Sequence, residues 1–99
     1  MKIVAVTSCA TGIAHSYMSA EAIKKVCKAH GHQVKVEIQG AMGIENELSK
    51  SEIEGADMIV FANDVGISKS ERFAKVKDKI LKLTPHEVIK NPEVIFKSV

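Results

Sequence analysis

The sequence predicts an α/β domain built on a four-stranded parallel sheet with helices on both faces, and three observations support this prediction. Short apolar, β-branched segments recur along the chain, and a helical pattern follows the first of them. Apolar residues make up 45% of the chain and charged residues 26%, which is typical of globular proteins. A chain of 99 residues has room for one core, so residues 1–99 are predicted to form a single domain.

Four segments have the pattern of strands. Residues 3–7 are apolar and β-branched, which is typical of a strand buried on both faces. Residues 34–38 alternate apolar and polar side chains and predict a second strand at an edge of the sheet, followed by a turn between Gly40 and Gly43. Residues 57–62 predict a third buried strand, and residues 79–83 predict a fourth.

One long helix and several short ones are predicted around these strands. From about His15, apolar residues recur at helical spacing and predict a helix of about four turns. Pro85 and Pro92 suit the first position of a helix, so two short helical pieces are expected near the end of the chain. Three Ser/Thr-x-x-Glu patterns predict capping boxes that start short helices, at Ser49, Ser68 and Thr84.

Charge and cysteine content exclude several classes of protein. A net charge of +2 gives no basic footprint for nucleic acid. Cys9 and Cys27 lack the C-x-x-C spacing of a redox or zinc pair, and no two histidines have a convincing ligand spacing, so no metal is predicted. The longest apolar run covers residues 58–62, and no export signal is recognisable. We therefore expect a soluble protein that does not insert into a membrane.

The loop between the first strand and the long helix carries the predicted chemistry. Parallel sheets bind ligands at the carboxyl ends of their strands, which places the site after Thr7. Cys9 stands at the mouth of the loop, where loop N–H groups and the helix N-terminus favour anions and are expected to lower the pKa of the thiol. The predicted phosphate-binding residues are Ala10, Thr11, Gly12, Ile13, Ala14, His15 and Ser16.

The loop lacks the arginine of a cysteine phosphatase. Such enzymes follow the pattern C-x5-R, whose arginine clamps the phosphate, but the sixth residue after Cys9 is His15. Arg72 is the sole arginine of the chain and has no place in the loop by sequence. The loop is therefore predicted to accept and pass on a phosphoryl group, and to be poorly equipped for hydrolysis of phosphomonoesters.

Other residues have weaker indications of a role. Gln39 and Gly40 follow the second strand at the same sheet edge, and we hypothesise that they dock a partner. We make the same hypothesis for Arg72, whose charge suits contact with a partner protein. Asp64 also reaches this edge, where it is a weaker candidate for a general acid of the kind that phosphatases use. Cys27 lies on the apolar stripe of the long helix and is interpreted as a core residue.

The sequence resembles a known family. Residues 3–22, from Ile3 through Cys9 to Ala22, resemble the phosphorylation-site region of the fructose-type IIB component of the bacterial sugar phosphotransferase system (PTS). The chain departs from this pattern at Ala10, where proline is common, and at Ser16, where threonine is common. Further segments resemble the family in the same order, at residues 35–40, 43–48, 56–57 and 71–74.

The resemblance implies a relay in the cytoplasm. A phosphohistidine of a IIA component would donate its phosphoryl group to Cys9, and the phosphocysteine would donate to fructose or a similar sugar bound by the membrane IIC component. The resemblance implies no metal or cofactor, and a fold with a four-stranded parallel sheet. Two alternatives stay open from the residues: a small cysteine-dependent phosphatase or arsenate-reductase-like domain, and a non-catalytic regulatory docking module.

Overall fold

A computed structural model describes residues 1–9, 13–40 and 43–96. In this part of the chain, five strands form one sheet in the order β3-β2-β1-β4-β5. Three short 3-10 helices cover Ser70–Phe73, Lys77–Lys79 and Pro92–Phe96. The strands and α-helices are β1 (Lys2–Ser8), α1 (Ile13–Ala29), β2 (Gln33–Gly40), β3 (Gly43–Glu45), α2 (Lys50–Glu54), β4 (Met58–Asn63), β5 (Ile80–Leu83) and α3 (Pro85–Lys90).

The parallel sheet is confirmed for four strands, and the structure adds a fifth. Strands β2, β1, β4 and β5 pair in parallel, whereas β3 pairs antiparallel to β2. The edge position predicted for the second strand is therefore wrong, because β3 covers the carboxyl end of β2 from Ile38 to Gly40. A strand of three residues is too short to show an alternating pattern, so no pattern in the sequence predicted β3.

Helices on both faces of the sheet follow from the alternation of side chains along the strands. On one face, Ile3 and Ala5 of β1 pack with Ile23 and Cys27 of α1, and all four are fully buried. On the other face, Val4 and Val6 are part of a second apolar cluster, with residues of α2 and of the first 3-10 helix. The interpretation of Cys27 as a core residue is thereby confirmed.

The predicted helix starts are confirmed in two cases and wrong in one. Ser49 and Thr84 each accept a hydrogen bond from the N–H of the glutamate three residues later, which completes both capping boxes. Ser68 does not cap a helix: the 3-10 helix begins at Ser70 after Lys69, whose φ of 58° is left-handed. The N–H of Ser68 donates instead to the side chain of Gln39, 2.8 Å away.

The register of the sheet places several strand ends side by side. Ser8, the last residue of β1, lies opposite Gln39 of β2 and Asn63 of β4. Cys9 therefore emerges at the middle of the carboxyl edge, where the sequence predicted the site. None of the helices among the described residues is long and apolar enough to cross a membrane.

Candidate functional site

Cys9 directly follows β1 and is a free, half-buried thiol. Helix α1 begins four residues later, at Ile13. Of the predicted phosphate-binding residues, Ala10, Thr11, Gly12 and the side chain of Ile13 lie outside what the structure describes, so their role stays a prediction. The structure therefore defines the two sides of the loop, which are the end of β1 and the first turns of α1.

The first turns of α1 bring polar side chains toward the thiol. Ala14 is exposed and His15 is half-buried, whereas Ser16 is 1% exposed and Ser19 is fully buried. The hydroxyl of Ser19 donates to the carbonyl oxygen of His15 over 2.9 Å. Burying polar groups such as these hydroxyls costs free energy unless they form hydrogen bonds.

Among the residues that the structure describes, three buried polar atoms on either side of the loop make no hydrogen bond of normal geometry: Thr7 Oγ1, His15 Nδ1 and Ser16 Oγ. Buried side-chain polar atoms are nearly always hydrogen-bonded in folded proteins, so three unpartnered ones within ten residues of sequence are unusual. All three flank the loop that carries the thiol. A bound ligand with several acceptor oxygens would supply the hydrogen-bond partners that these three atoms lack.

The expected lowering of the pKa of Cys9 is contradicted. Burial, the largest effect, raises the pKa of the thiol because it disfavours the thiolate, and the Asp64 carboxylate raises it further by repulsion. Contacts with the hydroxyls of Ser16 and Ser19 act in the opposite direction and do not reverse the result. The prediction considered the loop amides and the helix dipole, but it could not include the burial of the sulfur or the approach of Asp64.

A short segment crosses the same edge of the sheet. Residues 64–68, which we call the strap, begin at the end of β4, where the Asp64 N–H donates to the Ser8 carbonyl oxygen over 3.1 Å. They end beside β2, where Gln39 Nε2 donates to the Ser68 carbonyl oxygen (3.0 Å) and the Ser68 N–H donates to Gln39 Oε1 (2.8 Å). The strap therefore connects the carboxyl end of β4 with that of β2, and β1 lies between these two strands in the sheet.

Arg72 is held in an internal network next to the strap. Its guanidinium donates from Nη1 and Nη2 to the two carboxylate oxygens of Glu37, at 2.8 and 2.9 Å. Glu37 is fully buried and also accepts from the N–H of Leu48 (2.8 Å) and from Gln39 Nε2 (2.7 Å). Burial alone would raise the pKa of Glu37, but the hydrogen bonds from Arg72, Leu48 and Gln39 outweigh it and lower the pKa.

The internal network does not suit the docking role predicted for Gln39 and Arg72. Gln39 is 5% exposed, the side chain of Arg72 is 12% exposed, and both are committed to internal hydrogen bonds. Gly40 is exposed at the end of β2, and its docking role stays a prediction. Sequence reasoning missed Glu37, although an acidic residue in a strand of a chain with one arginine could have indicated a buried pair.

A side-chain hydrogen bond joins α1 to β3. The hydroxyl of Tyr17 donates a hydrogen bond to the carboxylate of Glu45, and this bond raises the pKa of the phenol. Tyr17 follows the polar first turn of α1, so the bond links the helix beside the thiol to the short antiparallel strand. Among the described residues, no group of three or more metal-ligating side chains comes together.

This geometry defines an α/β domain with a thiol at the carboxyl end of its central strand, and comparisons with known proteins name the family. The chain matches the family described as "PTS system, Lactose/Cellobiose specific IIB subunit" over residues 4–98. It is 42% identical over 98 residues to the PTS system fructose-like EIIB component 2 of Escherichia coli (strain K12), covering 99% of this chain and 91% of that protein. The chain therefore belongs to the IIB family of the PTS.

Two further relatives are similar over most of this chain. The solution structure of an Enzyme IIB subunit of the PTS from Escherichia coli K12 superposes with a TM-score of 0.89 at 34% identity, covering 98% of this chain and 88% of that one. The fructose-like PTS system EIIBC component of Escherichia coli (strain K12) is 41% identical over 96 residues, which are 97% of this chain and 20% of that protein.

Proposed function

We propose that Cys9 is the phosphoryl carrier of a fructose-like PTS. In this proposal, Cys9 accepts the group from a phosphohistidine of a IIA component and donates it to fructose or a similar sugar bound by the membrane IIC component. The observation that supports it most strongly is the half-buried free thiol at the end of β1, flanked by three buried polar atoms that make no hydrogen bond of normal geometry within the described part of the chain. These atoms, with the predicted loop residues 10–14, are the proposed ligands of the phosphoryl oxygens.

The first transfer balances with the groups at hand. The sulfur of Cys9 attacks the phosphorus, the P–N bond of phosphohistidine breaks and a P–S bond forms. The imidazole nitrogen that leaves must gain one proton, and the thiol of Cys9 has one to lose. A thiol whose pKa is raised is compatible with this step, because its proton is the one that the departing imidazole needs. The step requires no metal or cofactor.

The second transfer takes the group to the sugar. A sugar hydroxyl oxygen attacks the phosphorus, the P–S bond breaks, and the hydroxyl proton ends on the sulfur of Cys9. A relative in which a IIB region and a IIC region form one protein supports a IIC partner for this chain. We propose that residues 1–99 act as one domain in the cytoplasm, where a donor protein and the inner face of a membrane component are both within reach.

The position of Arg72 supports a relay over the alternative of a phosphatase. A cysteine phosphatase needs a free guanidinium on the phosphate, whereas the guanidinium of Arg72 is neutralised by Glu37. A phosphoryl group on Cys9 would therefore lack the arginine clamp that assists attack by water. If the chain nevertheless hydrolysed an aryl phosphate with turnover, this result would favour the phosphatase alternative over the relay.

Intact-mass spectrometry tests the proposal. The wild type, Cys9→Ser and Cys27→Ala are incubated at mildly alkaline pH with phosphoenolpyruvate and the upstream relay proteins, including a fructose-type IIA. We expect a gain of about 80 Da, one phosphoryl group, on the wild type and on Cys27→Ala, removable by iodine and absent from Cys9→Ser. An unmodified wild type beside a demonstrably phosphorylated IIA would contradict the proposal and favour a docking module.

A further inference from the structure

Helix α1 has one exposed face that runs along most of its length, which we call the outer face. Its six residues cover about 100° of the helix circumference, because each residue turns the helix by about 100°. All six are exposed: Ala14, Tyr17, Met18, Glu21, Lys25 and Lys28. On the other side of the helix, Ala20, Ile23 and Cys27 are fully buried in the core cluster that includes β1.

The end of the outer face nearest to Cys9 is apolar. Tyr17 is 40% exposed and Met18 is 54% exposed, and they are two of the four exposed large apolar residues in the described part of the chain. Because α1 begins four residues after Cys9, both lie on its first two turns, beside the loop that carries the thiol. Adjacent large apolar side chains in this position are suited to contact with a protein that reaches the thiol.

The side chain of Tyr17 is anchored at its polar end. Its hydroxyl donates to the carboxylate of Glu45 on β3, which restricts the ring while much of the residue stays exposed. Tyrosine is common among the residues that dominate binding energy at protein interfaces, because it buries a large area at a small cost in conformational entropy. The anchored ring is therefore preorganised for such a contact.

The end of the outer face farther from Cys9 is basic. Lys25 and Lys28 are exposed, and neither forms an ion pair within the described part of the chain. Glu21 is the one acidic residue of the outer face, and Lys24 Nζ lies 3.5 Å from its carboxylate. With a rise of about 1.5 Å per residue, the two lysines stand about 10 to 15 Å along the helix from Met18.

We infer that the outer face of α1 docks the IIA donor while its phosphohistidine reaches Cys9. This inference rests on the proposed function and names the surface by which the donor is recognised. The matching donor surface has apolar side chains near the phosphohistidine, which cover Tyr17 and Met18. It also has acidic side chains about 10 to 15 Å away, which face Lys25 and Lys28.

Charge and chain connectivity favour the donor over a membrane surface or the IIC component. Recognition of an anionic membrane takes clusters of about four to eight basic residues, whereas the outer face has two unpaired lysines. In the Escherichia coli EIIBC relative, the IIB and IIC regions belong to one protein, so their contact needs no encounter between separate molecules. The donor in our proposal is met by diffusion, which is the step that charge attraction accelerates.

Charge reversal tests the basic end of the outer face. The rate of transfer from purified phosphorylated fructose-type IIA is measured by rapid quenching and intact mass at several donor concentrations. We expect Lys25→Glu/Lys28→Glu to lower the second-order rate constant about tenfold at low ionic strength, with a smaller loss in high salt. The first-order rate at saturating donor should stay close to that of the wild type, because the thiol and its loop are unchanged.

The matched control is Lys75→Glu/Lys77→Glu, which changes the net charge by the same amount. Both lysines are exposed and form no ion pair within the described part of the chain. Their neighbours Phe73 and Val76 pack on the face of the sheet opposite to α1. We expect the control to be phosphorylated at close to the wild-type rate.

Two alanine variants test the apolar end. Tyr17→Ala and Met18→Ala should each lower the same second-order rate constant about three- to tenfold, and this loss should persist in high salt. Tyr17→Phe keeps the ring and removes the hydrogen bond to Glu45, so its rate should lie between those of the wild type and Tyr17→Ala. Urea unfolding close to that of the wild type shows that the variants remain folded.

The outcomes separate this inference from the proposed function. A wild type that stays unphosphorylated beside phosphorylated IIA would contradict the carrier role of Cys9. A phosphorylated wild type whose rate is unaffected by Lys25→Glu/Lys28→Glu, or lowered equally by the control, would overturn the docking surface alone. If the reversal slowed transfer to the sugar by membranes that contain IIC, but not transfer from IIA, the assignment of the outer face to the donor would be wrong.

Discussion

The carboxylate of Glu37 and the guanidinium of Arg72 form a two-pronged ion pair in which each carboxylate oxygen accepts one hydrogen bond, at 2.8 and 2.9 Å. The residues are 35 positions apart in sequence, and the carboxylate is fully buried. The pair joins β2 to the first 3-10 helix and, through the carbonyl oxygen of Leu48, to the segment before α2. The ion pair therefore holds together β2, the first 3-10 helix and the segment before α2.

Removal of Arg72 is expected to destabilise the fold strongly. Arg72→Leu leaves the carboxylate of Glu37 buried without its cation, and a broken buried pair costs about 3–5 kcal/mol. The double variant Glu37→Leu/Arg72→Leu removes both charges and should lose less stability than the sum of the two single variants. Urea unfolding at neutral pH measures the three free energies, and a cost below about 1 kcal/mol for Arg72→Leu would contradict a buried pair.

Thr84 forms the capping box that its sequence pattern predicts, whereas Ser68, which has the same pattern, does not, so the two residues give a matched comparison. Thr84→Ala removes the hydroxyl that accepts from the N–H of Glu87, and loss of such a cap costs about 1 kcal/mol. Ser68→Ala should change the free energy of unfolding little, since the hydrogen bonds of Ser68 within the described chain use its backbone. Equal losses in the two variants, measured by urea unfolding, would argue against the difference between the two sites.

Glu52 is expected to contribute to stability in a way that depends on pH. Its pKa falls to about 2, because the backbone N–H of Ser49 and then the ammonium of Lys35 favour the charged form. A folded-state pKa below the unfolded value gives stability that is complete above the unfolded pKa and is lost as the pH falls toward 2.

The variant Glu52→Gln isolates this charge, since glutamine at the same position still suits the capping box. We expect it to be less stable than the wild type at pH 6 and the difference to shrink between pH 4.5 and 2. Urea unfolding at four pH values across this range measures the difference. A gap between the two proteins that stays constant down to pH 2 would show that the charge of Glu52 has no part in it.

The two thiols should differ in their reaction with iodoacetamide. Cys9 is half-buried with a raised pKa, so its alkylation rate should keep rising with pH through 9. Cys27 is fully buried and burial raises its pKa to about 11, so it should react only when the chain unfolds. Mass-resolved alkylation from pH 6 to 10 measures both rates, and a rate for Cys9 that levels off below pH 7 would show a lowered pKa.

Local pattern was sufficient to predict most of the fold and the place of the site. The β-branched run before Cys9 became the central strand, the helical spacing after His15 became α1, and the glutamates three residues after Ser49 and Thr84 completed their caps. These features depend on neighbouring residues and the order of elements in an α/β chain, which together place Cys9 at the carboxyl edge of a parallel sheet.

The features that sequence reasoning missed depend on residues far apart in the chain. The pairing of Glu37 with Arg72 spans 35 positions, and the pairing of Gln39 with Ser68 spans 29, so no local pattern contains either of them. The same pairing explains why the pattern at Ser68 failed to cap a helix. The raised pKa of Cys9 comes first from burial of the sulfur and only then from the charge of Asp64, and neither can be read from residues that are neighbours in sequence.

A chase experiment tests the central claim, that the phosphoryl group on Cys9 is an intermediate on the way to a sugar. The wild-type protein is labelled on Cys9 with radioactive phosphate, freed of donor proteins, and mixed with membranes that contain a fructose-type IIC component and fructose. We predict that the label leaves the protein and appears in a sugar phosphate in equal amount, and that Cys9→Ser carries no label to chase. Label that stays on the protein, or is released as inorganic phosphate, would contradict the account.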